Sequence, residues 1–504
     1  MSLTAVGAEA VEVSAWRARI LQGLAGGARF AGLYGMDAAG GCLLTALLAV
    51  PGGFEEVRTL IRPDGAGQLA YASLTPEVKP AFWYERALQD LSGVRPLGHP
   101  RPEPLLLPLE EGSEVPRPGH RAHPALLRHA ATPGPVDVAG HGMFAVTLGP
   151  VRSGVFESVE FLIETPGEDI PHLNIRPHYK HRGVAKRFEQ LGVEDGVLVA
   201  ERVEGISSVA HALAFSHAAE SAAGVQVPPR AGLIRLVYAE LERIANHLDV
   251  AMRLADAAGL AVATSRFAWH KEATMRLVSE MCGSRFGRGV VIPGGVRAEP
   301  ALAPAQIRER LDLLHARIRA DARLAMDTPS FLDRLRGTGV LPSEVASEWA
   351  ATGPLARASG IAEDTRWERP TDSYGDLAGG TGPALEDGGD VLARLKVRWD
   401  EIDTSAALIG RALALLEGAH RHHRLAEPVE IGSGDAYGLG WAESAQGEVL
   451  HALSLRDGLI RRCFARTASL HNLVVFHDVF HGDVFTDFPF IEASFGLSYA
   501  GVAM

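Results

Sequence analysis

Hydrophobic and polar positions change period along this chain, and each change predicts a change of element. Near the N-terminus, AEAVEVSAWRARILQGLA carries apolar residues at helical spacing. It leads into the apolar run CLLTALLAVPGGFEEVRTLI. Pro80 to Gly93 returns to helical spacing and stops at a glycine, the usual helix-ending residue. A proline-punctuated extended tail follows, VRPLGHPRPEPLLLP. Together these predict a small α+β domain over residues 1–108. Residues 109–136 are rich in proline, histidine and charge, which predicts a linker. From there to 504 a second domain is expected. It opens with MFAVTLGPVRSG and FESVEFLIET, whose alternation predicts two paired strands.

After His181 the pattern turns helical. Ala231 to Gly259 has a clear period near 3.6. SRFAWHKEATMRLVSEMCG and PAQIRERLDLLHARIRADARLAM predict two more helices, and a further long one starts near Asp390. Residues 337–388 are rich in glycine and proline and predict long ordered loops. EVLHALSLRDGLIRRCFART alternates and predicts a hairpin. The fold class is therefore α+β: a small N-terminal α+β domain, then a mainly α-helical domain with small antiparallel sheets.

Composition narrows the functional classes. The chain has 504 residues, 47% apolar and 22% charged, an ordinary globular balance for two or three domains. Its 49 basic and 61 acidic side chains leave a net charge of −12, which argues against a nucleic-acid partner. The N-terminal stretch lacks the apolar core of a signal peptide, and no apolar run reaches the ~18 residues of a membrane span. Cys42, Cys282 and Cys463 form no CxxC pair, which suggests a reducing compartment without a disulfide framework. Iron–sulfur clusters or thiolate-bound metals are then expected on another chain.

A series of short motifs gives a sharper expectation. In order they are WYERALQDLSG, GHP at 98–100, LLLP at 105–108, GPVRSG at 149–154, HRGVAK at 181–186, ERVEGISSVAH at 201–211 and RLVYAELERIANHL at 235–248. IPGGV at 292–296, GTGVLP at 337–342, TGPLARASGI at 352–361, GGDVLAR at 388–394, ESAQGE at 443–448 and DFPFIEASFGLSYAG at 487–501 complete the series. The chain resembles the family that joins the large subunit of nickel–iron hydrogenases to the 49-kDa subunit of respiratory complex I. The resemblance is nearest to complex-I-like, membrane-bound hydrogenases of the formate-hydrogenlyase type. Those carry an N-terminal domain like the 30-kDa subunit of complex I.

The departures decide the chemistry. The resemblance puts the hydrogenase CxxC pairs at Glu204–Ser207 and at Ser494–Leu497, the latter after the acidic Glu492. Neutral serine hydroxyls are poor donors for a centre that prefers soft thiolates, and leucine offers none. No nickel–iron centre and no metal ligand set is expected here. In the complex I subunit, a histidine after the corresponding turn and a tyrosine on the following helix hold quinone. The matching positions are Arg152 and Phe215. Phenylalanine cannot donate a proton, and arginine stays charged. Glu204 and His211 are the expected proton-transfer residues, with His217 a further candidate. Arg152, Ser207, Phe215 and Ser494 are expected to line the site of a quinone-like acceptor.

Plainer readings stand beside these. Ser207 or Ser208 could cap the next helix, Arg152 could form a structural salt bridge, and His211 could be a hydrogen-bonded core histidine. His471, His477 and His481 read as surface or interface residues, and HRHHR as a solvated helix end. Arg461, Arg462 and Arg466 read as an iron–sulfur partner's interface or as a solvated face.

Two functions follow from the resemblance. In one, the chain passes electrons from a small iron–sulfur subunit of complex I type to a quinone-like acceptor, within a hetero-oligomer that includes membrane ion-translocating subunits. It would sit peripherally on the cytoplasmic side of the membrane. In the other, it is a catalytically silent scaffold coupling a membrane arm to another module.

Overall fold

The computed structural model describes residues 10–108, 114–124, 142–152, 157–380, 382–418 and 424–504. HRHHR, apart from Arg424, and Ser153–Gly154 of the GPVRSG turn lie outside these ranges, as do 109–113 and 125–136 of the expected linker.

Helix α1 (Val13–Ala25) packs against a meander of three antiparallel strands, β1 (Arg29–Ala38), β2 (Gly41–Val50) and β3 (Gly53–Ile61). Trp16 and Ile20 are buried on it, and the Trp16 indole donates to the carbonyl of Val57 at 2.9 Å. Helix α2 (Phe82–Ser92) closes at Gly93, whose φ of +70° suits glycine. Two buried acids on α2 hold neighbouring segments, and one of them explains the expected extended tail. Asp90 accepts from the amides of Leu105, Leu106 and Leu107, pinning LLLP, while Glu85 accepts from Tyr71, Ser73 and Thr75. Within the segment read as linker, Glu114–Arg117 and His120–Pro124 pair antiparallel.

The paired strands predicted around GPVRSG are β4 (Phe144–Leu148) and β5 (Glu160–Thr165), joined by β6 (His172–Arg176) in one antiparallel sheet. The predicted helices follow: α3 (Ser208–Ala223), α4 (Pro229–Ala257), α5 (Ala261–Cys282), α6 (Pro304–Met326) and α7 (Val391–Gly418). The glycine- and proline-rich stretch before α7 holds four short helices, Ser343–Glu348, Gly353–Arg357, Thr365–Glu368 and Tyr374–Leu377. The C-terminal hairpin is part of a three-stranded sheet, β7 (Asp435–Ser444), β8 (Gly447–Arg456) and β9 (Leu459–Arg466). Strand β7 runs directly under α3. A Cβ at Gly438 would stand 1.9 Å from the carbonyl oxygen of Ala218, so only glycine permits this approach. Two short helices end the chain, α8 (Phe488–Phe495) and α9 (Tyr499–Ala503).

Two of the three hairpin arginines, Arg462 and Arg466, turn inward, against both readings of them, while Arg461 stays half-buried. Arg466 is fully buried and donates to the Ala31 carbonyl and to the Glu448 carboxylate, tying β1 to β8. Arg461 donates to the Asp37 carbonyl, and Arg462 is buried. Their alternation on a strand looks solvated, but the N-terminal meander covers it. Tyr34 stacks on Phe464 at 4.5 Å across the same seam. His471 is likewise buried there and not at the surface. Its Nε2–H donates to the Ala350 carbonyl, so its Nδ1 accepts from Tyr84. His477 packs against Trp349 and His481 is exposed.

A second polar layer is buried between α4, α7 and the short helices. Arg357 donates to Glu401 at 2.9 and 2.7 Å and to Glu443 at 3.1 Å. Arg366 binds Asp364 and Glu240, Arg243 binds Glu240, and His247 binds Glu401 at 2.8 Å. Among the described residues, no helix is long and apolar enough to cross a membrane.

Candidate functional site

The ERVEGISSVAH stretch leaves the helix Val193–Ala200 and enters α3. Ser207 stands at the N-cap of α3, but neither it nor Ser208 caps the helix. The cap comes from outside: Glu242 on α4 accepts from the amides of Val209 at 2.7 Å and Ala210 at 3.0 Å. Burial pushes the Glu242 carboxyl up to about 8 despite those two donors. Asn246, one turn on, donates to the Ile206 carbonyl at 2.6 Å. Two polar residues of α4 thus hold the loop. A cavity of about 80 Å³ lies beside these contacts, lined by Gly205, Ile206, Val209, Glu242 and Asn246 among others.

On its inner side the loop presents side chains that are wholly buried. Ser207 Oγ donates to Gln446 Oε1 at 2.9 Å. Glu204 is inaccessible, and neither carboxylate oxygen has a hydrogen-bond partner. Its near neighbour is His211, one turn into α3, whose Nε2 lies 3.4 Å from Glu204 Oε2 and is also unpartnered. His211 Nδ1 meets His451 Nε2 at 2.9 Å, and His451 Nδ1 faces the Cys463 sulfur at 3.6 Å. Burial, then the neighbouring His211, hold His451 well below the usual imidazole range, so its ring is neutral. Phe215 fills the space beside this pair, stacked on Phe188 at 5.7 Å and edge-on to His451 at 5.9 Å.

Ser494 and Arg152 lie in a second cluster. Ser494 Oγ accepts from Arg394 Nε at 2.9 Å and donates to the Ile491 carbonyl at 2.7 Å. Arg398 holds the carbonyls of Ser494 and Phe495 at 2.9 and 3.0 Å. Leu497 is half-buried against the core. Arg152 forms a two-pronged ion pair with Glu492, lies over the Phe161 ring at 5.2 Å, and shares Glu492 with the Tyr499 hydroxyl. Helix α9 spans the two clusters. Tyr499 reaches Glu492, while a Cβ placed on Gly501 would stand 1.9 Å from Glu204 Oε1.

Of the sequence-predicted residues, Glu204 and His211 come together, with Ser207 on the same loop and Phe215 beside His451. Arg152 and Ser494 belong to the other cluster. His217 is occupied elsewhere, donating to the Trp441 carbonyl and bound to Asp372 at 2.8 Å. Sequence reasoning missed Gln446, His451, Cys463, Tyr499 and Arg394. Gln446, Tyr499 and Arg394 lie within quoted motifs, but nothing in sequence spacing marks His451 and Cys463 as partners of His211.

The fit to a nickel–iron centre is poor on chemistry and packing. The four positions that the resemblance assigns supply one carboxylate, two hydroxyls and no thiolate, and they do not converge, since Ser494 lies in the other cluster. Both hydroxyls are already hydrogen-bonded to protein groups, and the α9 backbone closes on the carboxylate.

The family model described as respiratory-chain NADH dehydrogenase, 49 Kd subunit, matches residues 259–427. The model for the 30 Kd subunit matches residues 26–124, ending with the paired segment after the expected linker's start. Formate hydrogenlyase subunit 5 of Escherichia coli (strain K12) is 29% identical over 86% of this chain and 77% of that protein. The membrane-bound hydrogenase subunit alpha of Pyrococcus furiosus is 30% identical over 63% of this chain and 77% of its own length. NADH-quinone oxidoreductase subunit 4 of Thermus thermophilus is 31% identical over 55% and 67%. A solved structure of the membrane-bound sulfane sulfur reductase, an archaeal respiratory membrane complex, shares the fold, with a TM-score of 0.67 at 22% identity, covering 74% of this chain and 100% of that one. The three relatives compared by sequence are subunits of complex-I-like membrane-bound hydrogenase or NADH-quinone oxidoreductase complexes. The chain belongs to the family uniting the large subunits of membrane-bound hydrogenases with the 49-kDa subunit of complex I, with a 30-kDa-subunit-like domain fused ahead of it.

Proposed function

We propose that this chain is a coupling subunit of a membrane-associated, complex-I-like assembly, and that the position of the hydrogenase metal centre has become a packed polar core. One observation carries this reading: Glu204, Ser207 and Ser494 are all fully buried, and Ser207 and Ser494 are bonded to protein groups. An acceptor headgroup or a bimetallic centre would have to displace Gln446, Arg394 and the α9 backbone to reach them. The names of the relatives, a membrane-bound hydrogenase, an NADH-quinone oxidoreductase and a respiratory membrane complex, support membrane subunits as the company the chain keeps; an iron–sulfur partner and a place peripheral to the membrane are part of the proposal.

A second reading, electron transfer to a quinone-like acceptor, draws on the Arg152–Glu492–Tyr499 group. It combines a guanidinium, a carboxylate and a phenol beside the exposed Val151 of the GPVR turn. The guanidinium and the phenol are donors that could hold a quinone oxygen. Purifying the complex through a tag on this chain separates the two. If reduced iron–sulfur paramagnetic resonance signals of the partner persist when quinone is added, or change equally in wild type and Arg152→Met, the coupling reading holds. Loss of the signal on adding quinone, slowed at least tenfold by Arg152→Met or Tyr499→Phe, establishes the second reading instead.

A further inference from the structure

The buried groups around Glu204 form a line and not a cluster. From one end to the other they run Glu204, His211, His451 and Cys463, with separations of 3.4, 2.9 and 3.6 Å. Glu204 and His211 are fully buried, yet both Glu204 oxygens and His211 Nε2 lack hydrogen-bond partners. Unpartnered polar atoms at such depth are costly, and Glu204 Oε2 and His211 Nε2 face each other at 3.4 Å, which points to an exchangeable proton between them, while Glu204 Oε1 lies against Gly501.

The tautomers of the line are linked. A neutral imidazole donates from one nitrogen and accepts at the other. If the Cys463 thiol donates to His451 Nδ1, the His451 proton is on Nε2 and donates to His211 Nδ1. The His211 proton is then on Nε2, aimed at an ionised Glu204. If instead Glu204 carries a proton, it donates to His211 Nε2. His211 must then hold its proton on Nδ1 and give it to His451 Nε2, and His451 turns its own Nδ1–H toward the sulfur. The two arrangements differ by one proton, taken from solvent. Each imidazole keeps a single proton, the thiol keeps its own, and no electron moves.

We propose that Glu204, His211, His451 and Cys463 form a two-state hydrogen-bond wire that stores one exchangeable proton where hydrogenases of this family hold their metal centre. It does not depend on whether the subunit passes electrons. The surroundings fit a stored proton more than a fixed ion pair. On the Glu204 side, Arg182 and Glu242 are near enough to feel its charge, one of each sign. Glu157 is spent on Ser498 and the Ala500 amide. Arg182 gives its donors to the carbonyls of Arg202, Val203 and Ala500 and not to Glu204. Around His451 the packing is aromatic, Phe188 and Phe215, and Arg462 stands beside Cys463.

The test uses the full chain with histidine ring nitrogens labelled, followed by NMR and by the infrared C=O band of protonated carboxyls across a pH titration. His211 and His451 signals are assigned by difference against His211→Asn and His451→Asn. We expect a carboxyl band absent from Glu204→Gln. As it grows, His211 and His451 should both move from Nε2–H to Nδ1–H, with the ratio of tautomers changing at least tenfold. Cys463→Ala removes one end while sparing Glu204. It should shift the His451 tautomer ratio at least threefold at fixed pH, which keeps the test decisive if Glu204→Gln does not fold. Rings that keep one tautomer while the Glu204 band titrates, or a Cys463→Ala chain with unchanged tautomers, overturn the proposal.

Discussion

Two buried polar regions of this molecule lie one helix apart and are built on opposite terms. Around Arg357, Glu401 and Arg366, charges are matched by opposite charges and held by several hydrogen bonds each. Around Glu204, a carboxylate of equal depth has one imidazole for company and no hydrogen bond. The first is a fastening, because the low dielectric that makes buried charge costly also makes a complete network rigid. The second is left open, a condition that packing alone does not explain.

Cutting the fastening should give the largest effect. Arg357→Met would take from Glu443 its ion pair and from Glu401 and Asp364 one of their cations, and should cost ~3–5 kcal/mol, read as a lower denaturant midpoint with an unchanged slope. A loss under ~1 kcal/mol would mean the network is not what holds α4 and α7 together.

The Asp372 node carries the same logic into pH. Burial pushes the Asp372 carboxyl up, but the charges of His217 and Arg235 pull it down to about 2, below its ordinary 3.8. Its contribution, roughly 2 kcal/mol, is complete above the ordinary value and is lost as pH falls through about 2. Burial lowers His217, while Asp372 raises it by more, to above its ordinary 6.5. That contribution is complete below 6.5 and is lost as pH rises through the raised value. Asp372→Asn should therefore flatten the stability profile at both edges, measured by thermal unfolding from acid to mildly alkaline pH.

At the open region the effects should be smaller and partly reversed. Gly501→Ala would drive a methyl into Glu204 and should cost ~1–3 kcal/mol. Adding Glu204→Ala should recover most of that loss, a coupling visible only in the double mutant. Glu204→Met alone should be neutral or stabilising by about 1 kcal/mol, since it removes an unpartnered buried carboxylate. A loss above ~2 kcal/mol would mean Glu204 is as firmly tied as Glu401, and would erase the contrast.

The sequence carried the long helices well, because a period near 3.6 over twenty or more residues has few other readings. Gly93 closed α2 where expected. Short helices among glycines and prolines escaped notice, since four to six residues leave too little periodicity to see. The loop at Glu204 could be read as a frame with altered ligands. That Ser207 would bind Gln446, or that Glu242 would supply the missing cap, depends on contacts spanning 239 and 33 residues. The hairpin arginines misled for a related reason. Alternation along β9 is visible in one dimension, whereas the meander that covers Arg466 arrives from more than four hundred residues away.

The seam formed by Tyr34 on Phe464, Arg466 on Ala31 and Tyr84 on His471 has a consequence for assembly. Here the segment matched by the 30 Kd subunit model, residues 26–124, meets the C-terminal sheet and helix that follow the segment matched by the 49 Kd subunit model, residues 259–427, so their encounter is intramolecular. Joining two segments on one chain sets an effective concentration in the millimolar range, independent of how much protein a cell makes. Contacts too weak to hold two free subunits then suffice, and the stoichiometry of the pair is fixed at one to one in every complex the chain enters.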